Sequence, residues 1–308
     1  MGARRRIEDR NMVRSRNCHG TLAESPRRGG PGLRAVTYLA PGIPLELFQL
    51  VTDHLARALG REIELHCESR TSGPMHGELD PFAEGLADIG FLCSPSYLYL
   101  REQRRPSIEL VPAGFVFGDE RAAGEPVYFS DVVVRSEHPA REFGDLAGST
   151  WGYNDDCSLS GHFAALQKLA EIGCAADYFG RRVQTGSHAA SIDAILDGEV
   201  DGASIDSTVL ARARRERPDL GERLRVLDSW GPFPVQPVVV RSELGATWPA
   251  RIADAMLDLG TVHRDSARMR ELGLERCVPI DDAAYAEERR ALRALGQISA
   301  AQPQMGQS

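Results

Sequence analysis

Two serines standing two residues apart, Ser158 and Ser160, with Gly161 directly after them, are the residues of this chain best placed to do chemistry. They end the loop Asn154-Asp155-Asp156-Cys157. Beyond them Phe163, Leu166, Leu169 and Ile172 recur at three- to four-residue spacing, the stripe of a helix with one buried face. The first turn of such a helix leaves backbone N–H groups without intrahelical acceptors. Together with the two hydroxyls, the Asn154 amide and the positive end of the helix dipole, they would seat an anion. A plainer role competes: either serine is a good N-cap, worth about 1 kcal/mol.

Other residues of the right type recur at element ends. His188 follows Gly186-Ser187 at a second helix start, where its ring would donate to the same anion or simply face solvent. Asp206 ends a strand before Ser207. It would accept from a ligand ammonium or a protonated ligand oxygen, or cap the next helix. Tyr128 and Ser130 lie on one strand, as cleft residues or as packing. Ser94, Ser96 and Tyr97, in Ser94-Pro95-Ser96-Tyr97, form a further donor set at a helix start, with Ser94 expected as the N-cap before Pro95. Nowhere do a nucleophile, a base and an orienting residue fall into a catalytic set, and no cofactor or metal is expected.

These residues need a frame that brings helix starts together, and the periodicity supplies one. Strands are expected at Leu33–Ala40, Glu62–Cys67, Ala87–Leu92, Ile108–Phe117, Val127–Arg135, Trp151–Tyr153, Phe179–Gln184, Val200–Asp206, Leu224–Leu227 and Val235–Val240. Helices are expected from Pro44 to Gly60, Asp80 to Glu84, Ser94 onward, His188 to Leu196 and Ser207 to Arg215. Three more lie at 250–259, 266–272 and 282–295. Alternating strands and helices predict mainly parallel sheets, whose strand ends carry ligands. Gly85-Leu86-Ala87-Asp88-Ile89-Gly90 and Gly198-Glu199-Val200-Asp201-Gly202-Ala203 share one plan, a helix stopped at glycine and then a short strand with an acid. Two units built alike predict two lobes.

Composition bounds the rest. The chain of 308 residues, 42% hydrophobic and 26% charged, has the balance of a globular protein with an ample core. Residues 1–33 hold eight arginines against Glu8, Asp9 and Glu24, about +5, which leaves the remainder of this −8 chain near −13. A body that acidic disfavours nucleic acid as a partner. It leaves a small anion open, because local donors decide that. No apolar run approaches the ~20 residues of a membrane span. The basic segment 1–33 carries no apolar core of a secretory signal, so it is expected to be a disordered tail and the chain, as encoded, cytoplasmic. An upstream start would make it periplasmic or extracellular. Residues 296–308 are expected to fray. Six cysteines, at 18, 67, 93, 157, 174 and 277, form no CxxC pair.

The ordered set Val127-Tyr128-Phe129-Ser130-Asp131-Val132-Val133-Val134, Asp145-Leu146-Ala147-Gly148, Ser158-Leu159-Ser160-Gly161, Gly186-Ser187-His188 and Val200-Asp201-Gly202-Ala203 with Asp206 resembles the phosphonate/phosphate substrate-binding proteins of ABC importers. The resemblance runs over roughly 33–295. It implies an α/β, two-lobed, type 2 periplasmic-binding-protein fold, each lobe a mixed, mainly parallel sheet flanked by helices. Lobe one would be 34–126 plus 231–295 and lobe two 127–230, with crossings near Pro126–Tyr128 and Trp230–Pro234. The implied function is capture of a small oxyanion or phosphonate-like zwitterion in the interlobe cleft, with an ABC permease as partner. Tyr128, Ser130, Asn154, Ser158, Ser160, Gly161, His188 and Asp206 would face Ser94, Ser96 and Tyr97 across it. The chain departs from the family at Leu159, where a hydroxyl residue is usual, and in the acidic pair Asp155-Asp156. Two other readings compete. One is a cytoplasmic enzyme on the same fold acting on a small carboxylate or phosphate, as in menaquinone- or thiamine-precursor pathways. The other is a sensor module.

Overall fold

A computed structural model describes residues 32–298 apart from 41, 69 and 262. The basic segment up to residue 31 and the C-terminal residues from 299 lie outside the described residues. The chain begins with β1 (Leu33–Thr37), α1 (Leu45–Leu59), β2 (Ile63–Cys67), β3 (Ile89–Phe91), α2 (Ser94–Arg101), β4 (Ile108–Leu110) and β5 (Gly114–Phe117). Then come β6 (Val127–Arg135), β7 (Thr150–Tyr153), α3 (Ala164–Glu171), β8 (Arg181–Gln184), α4 (His188–Leu196), β9 (Gly202–Asp206), α5 (Ser207–Glu216), α6 (Leu220–Arg223) and β10 (Leu224–Pro234). It closes with β11 (Val238–Arg241), α7 (Trp248–Leu257), α8 (His263–Glu271), β12 (Leu274–Val278) and α9 (Ala286–Ala294).

Two five-stranded sheets carry the two lobes, in the orders β2-β1-β3-β11-β4 and β10-β6-β9-β7-β8, and β12 pairs with β5 in a small third sheet. Each large sheet is mixed. β1 runs parallel to β2 and β3, and β7 parallel to β8 and β9. The antiparallel pairings come from strands that enter from the other lobe, β11 beside β3 and β4, and β6 beside β9 and β10. The crossings lie side by side: Phe233 pairs with Tyr128 and Pro234 with Val127, and Val235 N donates to Pro126 O at 2.8 Å. β10 therefore stays in the second sheet as far as Pro234, past Leu227 where the strand was expected to end.

Local chemistry accounts for these elements. In α1, Leu47, Phe48, Val51 and Leu55 are buried along one stripe, each contributing about 1.5–3 kcal/mol, and Gly60 ends the helix in the left-handed conformation. β6 matches its expected span because Val132, Val133 and Val134 are buried on both faces. Several expectations fail for identifiable reasons. Residues 80–84 form turns rather than a helix, because the Asp80 carboxylate takes Phe82 N and Ala83 N while Pro81 O takes Leu86 N and Ala87 N. The stretch 108–117 splits at Pro112 into β4 and β5, which join different sheets. Cys93, not Ser94, is the N-cap of α2. Ahead of α3 the chain makes one wide turn at Leu159–Phe163, with Phe163 N bonded to Ser158 O at 3.1 Å. The extra residue rotates the stripe, so Ala164, Ala165 and Leu169 are buried while Ile172 is 45% exposed. No helix of the described residues is long and apolar enough to cross a membrane.

Candidate functional site

Five helix starts meet at one cavity between the lobes. Its walls include Ala40, Gly42 and Ile43 just before α1, Cys93 at the N-cap of α2, and Ser158 and Ser160 in the wide turn leading to α3. Ser187 and His188 at the start of α4 and Asp206 at the N-cap of α5 complete the ring. Tyr38, Ser72, Asn154, Asp155, Val209 and Gln236 line it as well. The cavity encloses about 50 Å³. Among its lining residues there is no lysine or arginine. Whatever positive potential it has comes from N–H groups and helix dipoles.

The serine loop is tied down by its own backbone. Ser158 Oγ accepts Gly161 N at 3.1 Å, so Ser158 is an N-cap and also lines the cavity. The Ser160 carbonyl accepts Ser130 Oγ at 2.8 Å, and Ser160 Oγ lies 3.2 Å from His188 Nε2. Gly161 backs this wall from behind. A Cβ there would stand 1.7 Å from Asn154 Oδ1 and 3.1 Å from the His188 ring. Only glycine lets the helix start approach these two side chains.

Electrostatics follow from burial. It lowers the His188 pKa to about 4, so the ring is neutral at neutral pH. Burial raises Asp206 to about 6, against hydrogen bonds from Thr208 and Gln236. Both Asp206 oxygens are occupied: Oδ1 accepts Thr208 N at 2.8 Å and Thr208 Oγ1 at 2.6 Å, and Oδ2 accepts Gln236 Nε2 at 2.8 Å. Asp155 is likewise saturated by Ser72, Cys157 and Asn154. Among the described residues no group of three or more His, Cys, Asp and Glu side chains could hold a metal.

Of the residues singled out in the sequence, Asn154, Ser158, Ser160, His188 and Asp206 come together on the cavity wall. Tyr128, Ser130 and Gly161 lie behind that wall, buried, with the Tyr128 ring tilted against that of Phe233 on the crossing. The second donor set does not face the cavity. Tyr97 turns its hydroxyl to the Asp282 carboxylate and its ring to Tyr285. Ser96 is buried under Gly73, and Ser94 occupies the first helical position, one residue beyond the lining Cys93. Lobe one contributes Tyr38, Ser72 and Cys93 instead, with Gln236 just beyond the crossing. None of these carried a local signal.

The model of the family described as ABC transporter, phosphonate, periplasmic substrate-binding protein matches residues 38–285. The chain belongs to that family. A phosphonates-binding periplasmic protein of Escherichia coli (strain K12) is 28% identical over 166 residues, 52% of this chain and 49% of that relative. The chain thus spans about half the length of the curated relative it matches. Two solved structures share the fold with TM-scores of 0.72 at 16% identity. One is a binding-protein component of an ABC phosphonate transporter from Pseudomonas aeruginosa, covered over 90% of each chain. The other is PhnD1 from Prochlorococcus marinus (MIT 9301) in complex with methylphosphonate, matched over 87% of this chain and 99% of its own. Both support the two-lobed α/β architecture.

Proposed function

We propose that this protein captures a compact phosphonate-class oxyanion between its lobes and presents it to an ABC permease, without changing it chemically. The observation that carries this reading is the meeting of five helix starts on a small cavity between the lobes whose lining holds no lysine or arginine. Such a site meets negative charge with many fixed dipoles, each contributing a fraction of a kcal/mol up to ~2 kcal/mol. Family membership and the methylphosphonate complex of PhnD1 support the ligand class. The acceptor bookkeeping narrows it. Asp155 accepts four protein donors and Asp206 three, which leaves a ligand ammonium at most one lone pair, on Asp206 Oδ2. Of the two ligand types the sequence allowed, we therefore favour the one without an amino group.

We assign the protein the periplasmic setting of its family, in place of the cytoplasmic expectation raised by residues 1–33. Fractionation of the producing cell tests that assignment, and cytoplasmic recovery overturns it. For the ligand, thermal-shift and calorimetric titrations with methylphosphonate, phosphite, phosphate, 2-aminoethylphosphonate and sulfate are decisive. At a hundredfold excess over Kd a ligand stabilises by about 2.7 kcal/mol, a shift of several degrees. Methylphosphonate or phosphite should give the largest shift and 2-aminoethylphosphonate a smaller one. No shift with any phosphonate or phosphite overturns the reading.

A further inference from the structure

The Asp155 carboxylate collects four donors from two lobes. Oδ1 accepts Ser72 N at 3.1 Å and Cys157 N at 2.9 Å, while Oδ2 accepts Ser72 Oγ at 2.6 Å and Asn154 Nδ2 at 2.8 Å. Cys157 and Asn154 belong to its own loop, next to the serine wall. Ser72 belongs to the opposite lobe, 83 residues away in sequence. We propose that Asp155 is the closure latch of the cleft: by holding Ser72 it sets how strongly the closed form is favoured and how long a bound anion is retained. This inference deepens the binding-protein reading and rests on it.

Three observations support a built contact. Ser72 is fixed where the latch needs it, since its carbonyl accepts Cys93 N at 2.8 Å at the very start of α2. The next residue, Gly73, has φ +143°, and a Cβ there would come within 2.4 Å of Ser96 Oγ, so the loop lies flat on α2 only because it is glycine. Both partners line the ligand cavity and are buried, so separating the lobes would return the carboxylate and the hydroxyl to water. Burial pushes the Asp155 pKa above the usual carboxylate range, and the Ser72 and Cys157 hydrogen bonds oppose that push. The carboxylate thus loses hydration on closing and regains donors only if Ser72 arrives. Other contacts join the lobes here, but differently. Leu159 N bonds to Cys93 Sγ at 3.3 Å, a weak acceptor, and Gln236 meets Asp206 beside the crossing, where lobe movement is small.

The test uses Asp155→Asn and Ser72→Ala in the full chain, with methylphosphonate as probe. Asn at 155 turns a donor toward Ser72 Oγ and Asn154. It should weaken binding roughly 10- to 100-fold, the range for a lost hydrogen bond to a charge, almost wholly through faster dissociation. Ser72→Ala leaves the Asp155 loop intact and keeps the backbone donor, so a loss of about 3- to 10-fold is expected. The double variant should lose less than the product of the two. Small-angle scattering of the ligand-saturated variants should show a larger mean radius than wild type. Weakening by Asp155→Asn with no effect of Ser72→Ala would place Asp155 in a role within its own loop and overturn the latch, as would unchanged affinities and radii. Should methylphosphonate fail to bind wild type, the ligand reading falls by itself. The latch is then judged on ligand-free scattering, where both variants must be more expanded than wild type, and equal radii overturn it.

Discussion

Replacing Asp206 by Asn should make this protein more stable at alkaline pH although it removes a buried, fully hydrogen-bonded group. Asp206 is 3% exposed, and burial raises its pKa from 3.8 to about 6. An acid raised by folding is favoured in its protonated form. Its contribution is complete below the unfolded pKa and is lost as the pH climbs through the folded one. About two pH units at 1.36 kcal/mol each make the ionised carboxylate cost roughly 3 kcal/mol by pH 8. Asn keeps the shape and cannot ionise. Its oxygen can still take Thr208 N and Oγ1, and its NH2 meets Gln236. Gln236 Oε1 makes no hydrogen bond among the described residues, so a flip of that amide restores the pair. The variant should stand closest to wild type at pH 4.5 and exceed it by a growing margin, about 1–3 kcal/mol at pH 8, the gap opening between pH 4 and 6. His188 gives the profile a second feature. Burial lowers its pKa from 6.5 to about 4, so its contribution is lost as the pH falls across that range, opposite to Asp206. The two slopes oppose each other in wild type, and Asp206→Asn removes the Asp206 slope while leaving that of His188. Urea unfolding at pH 4.5, 6 and 8 measures both effects. A variant less stable than wild type by the same amount at every pH would refute the reasoning and make Asp206 a helix cap whose charge is fully compensated.

Gly161→Ala should abolish phosphonate binding and destabilise the fold by ~2 kcal/mol or more, since the new methyl would overlap Asn154 Oδ1; chemical denaturation and titration measure both, and retained affinity would count against the packing. Glu288 is buried, with neither oxygen hydrogen-bonded among the described residues, and burial raises its pKa from 4.5 to about 8, with Ser94 and Arg289 offsetting only part. Its contribution is lost as the pH rises from 4.5 through 8. Glu288→Gln should therefore be more stable than wild type by roughly a few kcal/mol at pH 9 and not at pH 4.5, by the same unfolding assay.

What could be read from residues alone, and what could not, divides along a physical line. Helix starts are local. Ser187 caps α4 through Ala190 N, and Asp206 caps α5 through Thr208 N, bonds spanning two or three residues that residue types announce. The serine wall, His188 and Asp206 were therefore legible, as was β6 with its run of valines. The wide turn before α3 was not, because an extra residue in one turn leaves the apolar spacing almost intact while rotating the face that it buries. Tyr97 misled for a related reason: a donor at a helix start looks alike whether it faces the cleft or, as here, Asp282. The long-range contacts around the cleft were beyond reach altogether. Ser72 to Asp155 spans 83 residues and Gln236 to Asp206 spans 30, and nothing in either partner's neighbourhood names the other. The division has a functional side. On the proposed reading, the local half of the site supplies dipoles that any small oxyanion would use, without choosing among them. The long-range half brings Ser72 to Asp155 and Gln236 to Asp206. On the proposed reading discrimination resides in Ser72, Gln236, Asp155 and Asp206: they decide whether an incoming group finds a free acceptor, and an ammonium finds at most one lone pair, on Asp206 Oδ2.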